Sequence, residues 1–522
     1  MKTITCIVAL VFVLGVSGGP LSRRSEGVNN RPYKVVCYLG SWANYRWGDG
    51  KYKIENIDPF LCTHLIYGFA KLDHNNQIAP FDNYLDLAEN WGLGAYKRFN
   101  NLKKINPRLK TILAIGGWNE YPIKYSNMAR DPVQRKKFVI SCIKFLLKHG
   151  FDGLDLDWEY PANRGGIPED KENFVILLKE LKSELSVKGL LLSAGVSAGQ
   201  KTVETAYDIP KVAKYLDIIN LMSYDLHGDW ENKTGHVAPL YARPDESPED
   251  KTLNVDYGVK LWINGGADPK KITMGLPVYG RCFTLRDPNK NGLSVPVTGP
   301  GEQGPYTSKQ GIMGYNEICE KQMIESNQWT IVRDHHHKVP YMYKDRQWCG
   351  YDDAESFRIK AAYIKAMGLG GGMIWSLDTD DFQGKCHGVR YPLLKVLSED
   401  LNVSGDHVTT YLPSTNSKPN SSVVTKETDV TTTSPVTNPT DGNTFPTKYP
   451  VSTTTVDDES GLKCTKEGWF RFPNDCTRFY RCERVGNTFR IHFFKCPSGT
   501  VFSEIFKVCS YPDFVHECRG SA

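Results

Sequence analysis

The chain has 522 residues, of which 40% are hydrophobic and 24% are charged, and its formal net charge is +5. This length is too great for one ordinary domain, and the composition is that of a globular protein. The small net charge argues neither for nor against a nucleic-acid partner, but no Lys/Arg-rich run that would track phosphates is present, so we expect no nucleic-acid partner.

The N-terminal residues predict the compartment. Lys2 is followed by the apolar run ITCIVALVFVLGVSGG, and small residues stand at 17–19, where a signal peptidase would cut. Residues 1–19 are therefore predicted to be a secretory signal peptide. No later run reaches the roughly 18 apolar residues of a membrane-spanning helix, so we expect a secreted, extracellular protein with no membrane partner. In that compartment the 14 cysteines are candidates for disulfides.

Residues 20–400 alternate strand-like apolar runs with amphipathic helical patterns. The eight candidate strands are residues 33–40, 62–70, 110–118, 153–161, 190–199, 217–225, 272–281 and 371–381. Strands that alternate with helices predict a parallel sheet, and eight such units predict an α/β fold, the closed (β/α)8 TIM barrel. The gap after the seventh run is too long for one helix, so residues 283–355 are predicted to form an inserted α+β subdomain. The tract DHHHK within it, residues 334–338, is expected to be an exposed turn rather than a metal site.

The fourth candidate strand carries four carboxylates in the run GFDGLDLDWEYP, residues 150–161. Side chains alternate along a strand, so Asp155, Asp157 and Glu159 share one face, which we expect to line the barrel interior, while Asp152 has the opposite parity. Three like charges on one face cannot all ionise cheaply, so at least one pKa should be raised, as general-acid catalysis requires. The alternative is a structural carboxylate cluster that caps helices or binds a cation, although the spacing specifies no metal site.

The spacing D-x-x-D-x-D-x-E of these acids resembles the signature of the family 18 glycoside hydrolases, the chitinases. The resemblance covers about residues 30–398. It continues through four further motifs, which are GGW (116–118), MSYD (222–225), YGR (279–281) and GGMIWSLDTDD (371–381). It implies hydrolysis of chitin without a cofactor or a metal.

The resemblance also implies a mechanism in which the substrate's own acetamido oxygen is the nucleophile and the anomeric configuration is retained, an exception to the two-carboxylate rule. Glu159 would be the general acid and later the base, Asp157 would hydrogen-bond the acetamido N–H, and Asp155 would tune the proton of Asp157. Tyr224 is expected to position the acetamido carbonyl. The residues expected to complete that pocket are Asp225 and Met222.

Aromatic residues at or just past the strand ends are suited to stack on pyranose rings. The substrate-binding candidates are Tyr38, Trp42, Phe69, Gly117, Trp118, Met222, Trp230, Tyr279, Arg281 and Trp375. Taken singly, each aromatic is more often a core residue, but as a set at one barrel mouth, and by the resemblance, they predict a sugar-binding cleft. Trp375 is expected to form its floor, and Arg281 to hydrogen-bond the sugar chain.

Residues 401–462 are rich in Ser, Thr and Pro and are predicted to form an extended, O-glycosylated linker. Residues 463–522 contain six cysteines, whose connectivity the spacing alone leaves open. Their pattern, with FYRC and CPSGTVFSEIFKVC, resembles the peritrophin-A type chitin-binding domain. The resemblance implies the pairs Cys464–Cys482, Cys476–Cys518 and Cys496–Cys509. The candidates for stacking on chitin are Phe479, Tyr480, Phe493 and Phe494, with the alternative that half of them are core.

Of the other eight cysteines, Cys6 lies in the predicted signal peptide and seven lie in the barrel region. The family resemblance implies the disulfides Cys37–Cys62 and Cys319–Cys386. Cys282 and Cys349 stand where a small or apolar residue is expected in related chains, and they are candidates for an additional bridge. Cys142, inside an amphipathic helix, is then expected to be a buried thiol.

Three Asn-x-Ser/Thr sequons are candidates for N-glycosylation, at Asn232, Asn402 and Asn420. The last two flank or lie within the linker, and we expect at least one to be used. Asn232 neighbours Trp230, so it is expected to stay unmodified or to point its glycan away from the cleft.

Two classes of function fit the sequence. The first is a secreted, monomeric endo-chitinase whose barrel cuts β-1,4-linked N-acetylglucosamine and whose partners are chitin and chitooligosaccharides. The second is a non-catalytic, lectin-like barrel, a class that resembles this chain but lacks the final Glu of the motif, here Glu159. Among enzymes, an endo-N-acetylglucosaminidase acting on glycoproteins is the alternative, which the insertion and the C-terminal module disfavour.

Overall fold

The computed structural model describes most of the barrel region and parts of the C-terminal module. The described residues are 33–386, 388–403, 462, 464–473, 475–485, 488–496, 501–504 and 508–510. The predicted signal peptide, most of the predicted linker, Asn420 and Cys518 lie outside them, and of Cys509 only the backbone is described.

The regular elements of residues 33–403 follow one another in the alternating order that the sequence predicts. The strands are β1 Lys34–Gly40, β2 His64–Leu72, β3 Ile78–Pro80, β4 Lys110–Gly116, β5 Gly153–Asp157, β6 Leu191–Ser197, β7 Ile218–Met222, β8 Ile272–Pro277, β9 Tyr279–Leu285, β10 Val297–Pro300, β11 Ile312–Gly314, β12 Thr330–Asp334, β13 Val339–Lys344, β14 Gln347–Gly350 and β15 Gly371–Trp375. The helices are α1 Asn83–Asp86, α2 Ala95–Ile105, α3 Pro122–Arg130, α4 Pro132–His149, α5 Asp170–Val187, α6 Gln200–Ala206, α7 Ile209–Tyr215, α8 Val255–Asn264, α9 Tyr315–Ile324, α10 Ala354–Ala366 and α11 Pro392–Asp400. Within the described residues, no helix is both long and apolar enough to cross a bilayer.

Eight strands close into a parallel barrel in the order β1, β15, β8, β7, β6, β5, β4 and β2, and β1 pairs with β2 to complete the ring. β3 pairs antiparallel with the end of β2. Each barrel strand coincides with one of the eight predicted runs, so the predicted TIM barrel is confirmed. Three peptide bonds in or just after barrel strands are cis, namely Gly68–Phe69, Glu159–Tyr160 and Trp375–Ser376.

Two apolar layers hold the barrel. The inner layer consists of Val36, Tyr38, Ile66, Ile112, Ala114, Ile218 and Met373. Leu154, Leu156 and Trp158 belong to the much larger outer layer between the sheet and its helices. On the other face of the same segment, Asp155 and Asp157 are 0% and 4% exposed. The predicted alternation along the fourth run is therefore confirmed.

Local signals in the sequence place β5. Asp131 caps α4 by accepting hydrogen bonds from two backbone N–H groups of its first turn, and the helix ends at Gly150, whose φ of +79° favours glycine. Asp152 then accepts a hydrogen bond from the backbone N–H of Thr111 in β4 (2.8 Å) and pairs with Lys103 of α2 (2.9 Å). The first acid of the motif thus fixes the start of the strand.

The insertion is a second, antiparallel sheet in the order β10, β9, β14, β13 and β12, with β11 on β9. Its own core consists of Phe283, Leu285, Val297, Tyr341 and Trp348. The insertion begins at Tyr279 rather than at the predicted 283, because β9 follows β8 after the single residue Val278, whose N–H donates to the carbonyl of Trp375. One apolar run therefore contains two strands of different sheets, and the predicted boundary is corrected.

The DHHHK tract forms a turn, as predicted, but not a fully exposed one. His337 is 2% exposed, and its Nε2 lies 2.7 Å from a carboxylate oxygen of Glu246 in the segment between β7 and α8. The expectation of an exposed turn is wrong for this histidine, because a polar group that is buried needs a partner and Glu246 supplies one.

The regular elements among the described residues of the C-terminal module are all strands. They are β16 Gly468–Phe472, β17 Asp475–Val485 and β18 Thr488–Lys495 in one antiparallel sheet, and β19 Val501–Ser503 with β20 Val508–Ser510 in another. The Cys464–Cys482 disulfide ties the start of the module to β17, and Cys476 and Cys496 are disulfide-bonded as well. The β-rich, disulfide-stapled class predicted for this module is confirmed.

Candidate active site

The carboxyl group of Asp155 lies deepest of the three acids of the motif that share one face, and it is the most heavily hydrogen-bonded of those three. It accepts hydrogen bonds from Tyr38 OH (2.7 Å), Ser193 Oγ (2.5 Å) and Asn220 Nδ2 (2.9 Å). Burial raises the pKa of Asp155, and these three hydrogen bonds oppose the rise. Thr273 donates in turn to Asn220 Oδ1 (2.8 Å). Strands β1, β5, β6, β7 and β8 therefore all contribute to holding one carboxylate.

Asp157 lies next on the same face, and it is held differently. Its Oδ1 is buried and has no hydrogen-bond partner among the described residues. Burial, together with the neighbouring carboxylates of Glu159 and Asp155, raises the pKa of Asp157 well above its ordinary value. A Cβ on Gly195 would lie 2.7 Å from this Oδ1, so a larger residue at position 195 would clash with the Asp157 carboxyl group.

Glu159 follows β5 at the barrel mouth. Burial raises the pKa of its carboxyl to about 7, while a hydrogen bond from Tyr160 and the charge of Arg164 oppose the rise. Asp157 and Glu159 cannot both be ionised without mutual repulsion, so the pair retains a proton under weakly acidic conditions. An acid that keeps its proton near neutrality is suited to protonate a leaving group.

Arg164 ties the mouth of β5 to the GGW segment. Its Nη1 donates to the backbone oxygen of Glu159 (2.9 Å) and its Nη2 to the backbone oxygen of Trp118 (3.0 Å). The guanidinium carbon lies 3.7 Å from the centroid of the Trp118 ring, which is a cation–π contact. The N–H of Gly117 donates to the carbonyl of Asp157 (2.8 Å). Trp118, 58% exposed, is thereby fixed beside the acids.

A second group of side chains surrounds Asp225, which follows β7. Asp225 accepts hydrogen bonds from Tyr279 OH (2.7 Å) and from two nitrogens of Arg281 (2.8 and 2.7 Å). Arg281 also lies 5.0 Å from the centroid of the Trp230 ring, and the Tyr224 and Tyr279 rings meet edge to face at 6.3 Å. The insertion thus reaches the barrel mouth through β9, which carries Tyr279 and Arg281.

Aromatic rings form a wall on the other side, which we name the aromatic wall and define as Trp42, Phe69 and Trp375. Trp375 lies 5.9 Å from Phe69 and 6.2 Å from Trp42, and the rings of Trp42 and Phe69 are nearly parallel at 6.3 Å. A Cβ on Gly117 would lie 2.8 Å from the Phe69 ring, so only glycine fits beside it. Tyr38 differs from these rings because it is 2% exposed and supports Asp155 from within the barrel.

Most of the predicted barrel-site residues lie at the carboxyl ends of the strands or in the segments that follow them, while Asp155 and Tyr38 lie deeper, within β5 and β1. Met222 ends β7, and its Sδ would lie 3.7 Å from a Cβ on Gly195, the glycine that faces Asp157. Tyr224 OH lies 3.8 Å from Met373 Sδ in the inner layer. The site therefore places the acids of β5 among aromatic side chains that come from several barrel strands and the segments after them.

Sequence reasoning missed Ser193, Asn220, Tyr160 and Arg164. A signal existed for Ser193 and Asn220, because a polar residue inside an apolar strand needs a buried partner. Tyr160 and Arg164 gave no such signal, since their contacts depend on the path of the loop after β5, where Arg164 itself has a φ of +50°.

Among the described residues, the cysteines do not form a metal site. The group of potential ligands close enough to share an ion is Cys319, Asp381 and Cys386. Cys319 and Cys386 are joined in a disulfide, so they offer no thiolate, and Asp381 accepts the backbone N–H of Cys386 (2.8 Å). The other barrel disulfides are Cys37–Cys62 and Cys282–Cys349, and Cys142 is a buried thiol.

The aromatic residues of the C-terminal sheet divide between two faces. Phe479 stacks on Phe502 at 4.2 Å and on Phe494 at 5.2 Å, and Phe502 is fully buried. Tyr480 and Phe493 are directly paired across β17 and β18 and point to the other face. The first group is a small core, which leaves Tyr480 and Phe493 as the better candidates for contact with a ligand.

Two of the three sequons have described structures. Asn232 is exposed, whereas the Thr234 hydroxyl of the same sequon is buried and donates to the carbonyl of Gly292 (2.9 Å). Asn402 is exposed and directly follows α11. Both asparagine side chains are accessible to modification.

The chain is similar to proteins of known family over both folded regions. Residues 34–380 match the family Glycosyl hydrolases family 18, and residues 464–518 match the Chitin binding Peritrophin-A domain. Mouse Chitotriosidase-1 is 42% identical over 72% of this chain and 79% of its own length. Probable chitinase 10 of Drosophila melanogaster is 37% identical over 94% of this chain, which spans 21% of that protein. The crystal structure of Ostrinia furnacalis Group IV chitinase in complex with allosamidin is 42% identical, with a TM-score of 0.69 over 71% of this chain and 99% of that one.

The match across the barrel, its insertion and the acid motif leaves one conclusion: the chain belongs to the glycosyl hydrolases of family 18 and carries a peritrophin-A chitin-binding domain.

Proposed function

We propose that the protein is a secreted, monomeric endo-chitinase that hydrolyses β-1,4-linked N-acetylglucosamine with retention of configuration, using the substrate's acetamido oxygen as nucleophile. The observation that carries this proposal is the column formed by Asp155, Asp157 and Glu159 at the centre of an aromatic-lined cleft. The names of the relatives, which include chitinases and a chitotriosidase, support the choice of substrate.

Glu159 acts as the general acid. Burial raises its pKa to about 7, so it carries a proton under weakly acidic conditions and donates it to the glycosidic oxygen as the bond breaks. The same group, then ionised, removes a proton from the water that opens the oxazolinium intermediate. Proton donation and removal at one position fit a reaction with two steps.

Asp157 holds the acetamido group. Its buried Oδ1 has no hydrogen-bond partner among the described residues, and an acetamido N–H would supply one. A negative charge there also stabilises the positive charge that develops on the oxazolinium ring. Asp155, held by three donors and two residues earlier on the same strand, tunes the proton of Asp157.

Tyr224 and Asp225 complete the acetamido pocket, and the aromatic wall stacks on the sugar rings. Asp225 is oriented by Tyr279 and Arg281, so the inserted sheet orients part of the reacting centre. Orientation of this kind contributes to the rate because it fixes the attacking oxygen beside the anomeric carbon.

The other regions deliver the barrel to its substrate. We propose that residues 1–19 are a signal peptide, that residues 401–462 are an O-glycosylated linker and that residues 463–522 hold the enzyme on insoluble chitin. In the module, the proposed pairs Cys476–Cys518 and Cys496–Cys509 accompany the Cys464–Cys482 bridge. Tyr480 and Phe493 provide its chitin contact.

The test is the substitution Glu159→Gln, with Asp152→Asn as the matched control from the opposite face of the same motif. We expect Glu159→Gln to lower kcat/KM on chitotetraose about 10²–10⁴-fold, the range of general-acid catalysis, with little change in oligosaccharide binding. Asp152→Asn should stay within about threefold. Proton NMR of the first product should show the β-anomer. Equal activity of both variants would refute the role of Glu159, and an α-anomer would refute retention.

A further inference from the structure

The net positive charge of the chain is concentrated in the C-terminal module. Residues 463–522 contain ten Lys or Arg residues and six Asp or Glu residues, whereas the whole chain has a net charge of only +5. A polymer of N-acetylglucosamine is uncharged, so binding to it does not require this excess of cations. The positions of the cations on the sheet formed by β16, β17 and β18 indicate a different ligand.

Two cations of this sheet lie directly opposite each other. Arg478 of β17 pairs with Lys495 of β18, and both side chains are exposed. Like charges in this position destabilise a sheet. Within the described part of the chain neither side chain forms an ion pair, because the neighbouring Asp475 accepts hydrogen bonds from the N–H and the hydroxyl of Thr477 instead (2.9 and 2.7 Å). The pair therefore reduces the stability of the sheet and is available to an anion.

The other face of the same strands differs, because a cation there has an acidic partner. Arg490 is directly opposite Glu483, whose carboxylate also lies 2.8 Å from His492 Nε2. This is the face on which Phe479 packs against Phe502 in the small core. The unbalanced pair of cations therefore belongs to the face that carries Tyr480 and Phe493, since paired residues and residues two apart share a face.

Aromatic rings lie next to the two cations. Tyr480 and Phe493 form the next directly opposed pair on this face, about 7 Å along the strands. Phe472 contacts both rings, with centroids 5.6 and 5.7 Å apart, and the guanidinium carbon of Arg478 lies 4.2 Å from the Phe472 centroid. This cation–π contact holds the guanidinium in place and leaves the N–H groups at its edge available. A sugar stacked on the rings is therefore within reach of Arg478 and Lys495.

We name Arg478, Tyr480, Phe493 and Lys495 the cationic face, and we propose that it binds a polysaccharide that carries carboxylate or sulfate groups, in addition to chitin. The rings stack on a pyranose, and the two cations bind the anionic group, which a guanidinium holds through two parallel N–H bonds. The occupant is a glycan because the matching family is one of sugar-binding domains, and a second copy of this face would repel the first. The role of the rings rests on the proposed function, whereas that of the cations does not.

The experiment measures binding of the full chain to hyaluronan, in which N-acetylglucosamine alternates with glucuronate, and retention on insoluble chitin, which is uncharged. The variant is Arg478→Gln combined with Lys495→Gln. The matched control, Arg484→Gln combined with Arg490→Gln, removes the same charge from exposed positions nearer the turn between β17 and β18. We expect the Kd for hyaluronan to rise about tenfold in the first variant and to stay within about twofold in the control, and chitin retention to stay within about twofold in both.

Four results would overturn the inference. Equal weakening in both double variants would show attraction by net charge alone, and wild-type protein that does not bind hyaluronan would show that the cations take no anionic sugar. A parallel loss of chitin retention in the first variant would show that the cations support the fold or the chitin contact. Tighter binding to oligo-deoxythymidine than to hyaluronan, lost in the same variant, would assign the face to nucleic acid. By contrast, wild-type protein that binds hyaluronan but not chitin would refute the proposed chitin contact and support the cationic face.

Discussion

In the barrel, whole side chains are buried in two apolar layers, whereas in the C-terminal module the aromatic residues of β16 to β18 are half-buried and neighbour disulfides. The buried hydrophobic residues described in the module are Cys482, Cys496, Val501 and Phe502. A small domain buries too little apolar area to fold without crosslinks, while a large one has stability in excess. That excess lets the barrel keep three adjacent acids in its interior. We therefore expect the stability of the module to depend mainly on its disulfides, and the stability of the barrel to depend on the ionisation of its buried acids.

The largest expected effect comes from removing a disulfide of the C-terminal module, which should unfold the module and leave the barrel folded. The Cys464–Cys482 bridge closes a loop with a sequence separation of 18, and removal of such a bridge from a small domain costs about 2–5 kcal/mol. We therefore expect Cys464→Ser with Cys482→Ser to reduce retention on insoluble chitin more than about tenfold, while chitotetraose hydrolysis stays within about twofold.

The matched control removes a barrel bridge. Cys282 and Cys349 are directly paired across β9 and β14, where backbone hydrogen bonds already hold the strands. Their double replacement by Ala should leave both chitin retention and hydrolysis nearly unchanged. If the Cys282 and Cys349 variant lost more hydrolytic activity than the module variant, the barrel would depend on its disulfide, contrary to our expectation.

The second effect concerns the free energy of unfolding of the barrel. The pKa of Glu159 is raised from 4.5 to about 7 by burial, so the folded state keeps a proton that the unfolded chain has released. Stability therefore falls as the pH rises from about 4.5 to about 7 and is constant above that range. Glu159→Gln should remove this loss and stabilise the barrel at neutral pH by up to about 3 kcal/mol.

Calorimetry against pH measures this directly, since the barrel and module should unfold in separate transitions. The barrel transition should rise by a few degrees in Glu159→Gln at pH 8 and by less at pH 4, and the module transition should not move. Asp152→Asn, which removes an ion pair with Lys103, should instead lower the temperature of the barrel transition. A barrel transition lowered by Glu159→Gln at pH 8 would show that the acids stabilise the fold.

The smallest effect is a shift in the pH profile. The charge of Arg164 opposes the raised pKa of Glu159, so Arg164→Gln should raise that pKa further. In the proposed mechanism Glu159 acts in its protonated form, so the alkaline limb of kcat should move to higher pH, by about half a unit. Because Arg164 also packs on Trp118, KM should rise as well, and Arg164→Lys should restore the pH profile better than KM. A limb that stays in place would assign Arg164 a purely structural role.

The barrel could be predicted from the sequence because each of its strands is a contiguous apolar run. The face that carries the acids could be predicted because successive side chains of a strand point to opposite sides. It failed where a contact depends on how segments turn. The run ITMGLPVYGR holds two strands of different sheets, and no periodicity marks the break at Val278. His337 meets Glu246 across 91 residues of chain. Likewise, the four aromatic residues predicted to bind chitin divide into a core pair and a pair on the opposite face of the sheet. Strand parity separates the two pairs, but the sequence alone does not show which pair faces the core.

The alternation along β5 has a consequence for how this enzyme can vary. Between Gly153 and Glu159, inward side chains carry the acids and outward side chains pack against the helices. Removal or addition of one residue would exchange the two sets, so the carboxyls would enter the outer apolar layer and the leucines would face the barrel interior. The segment can therefore change length only by two residues at a time, and variation in this region is confined to substitutions in the strand and to length changes in the loop that follows Glu159.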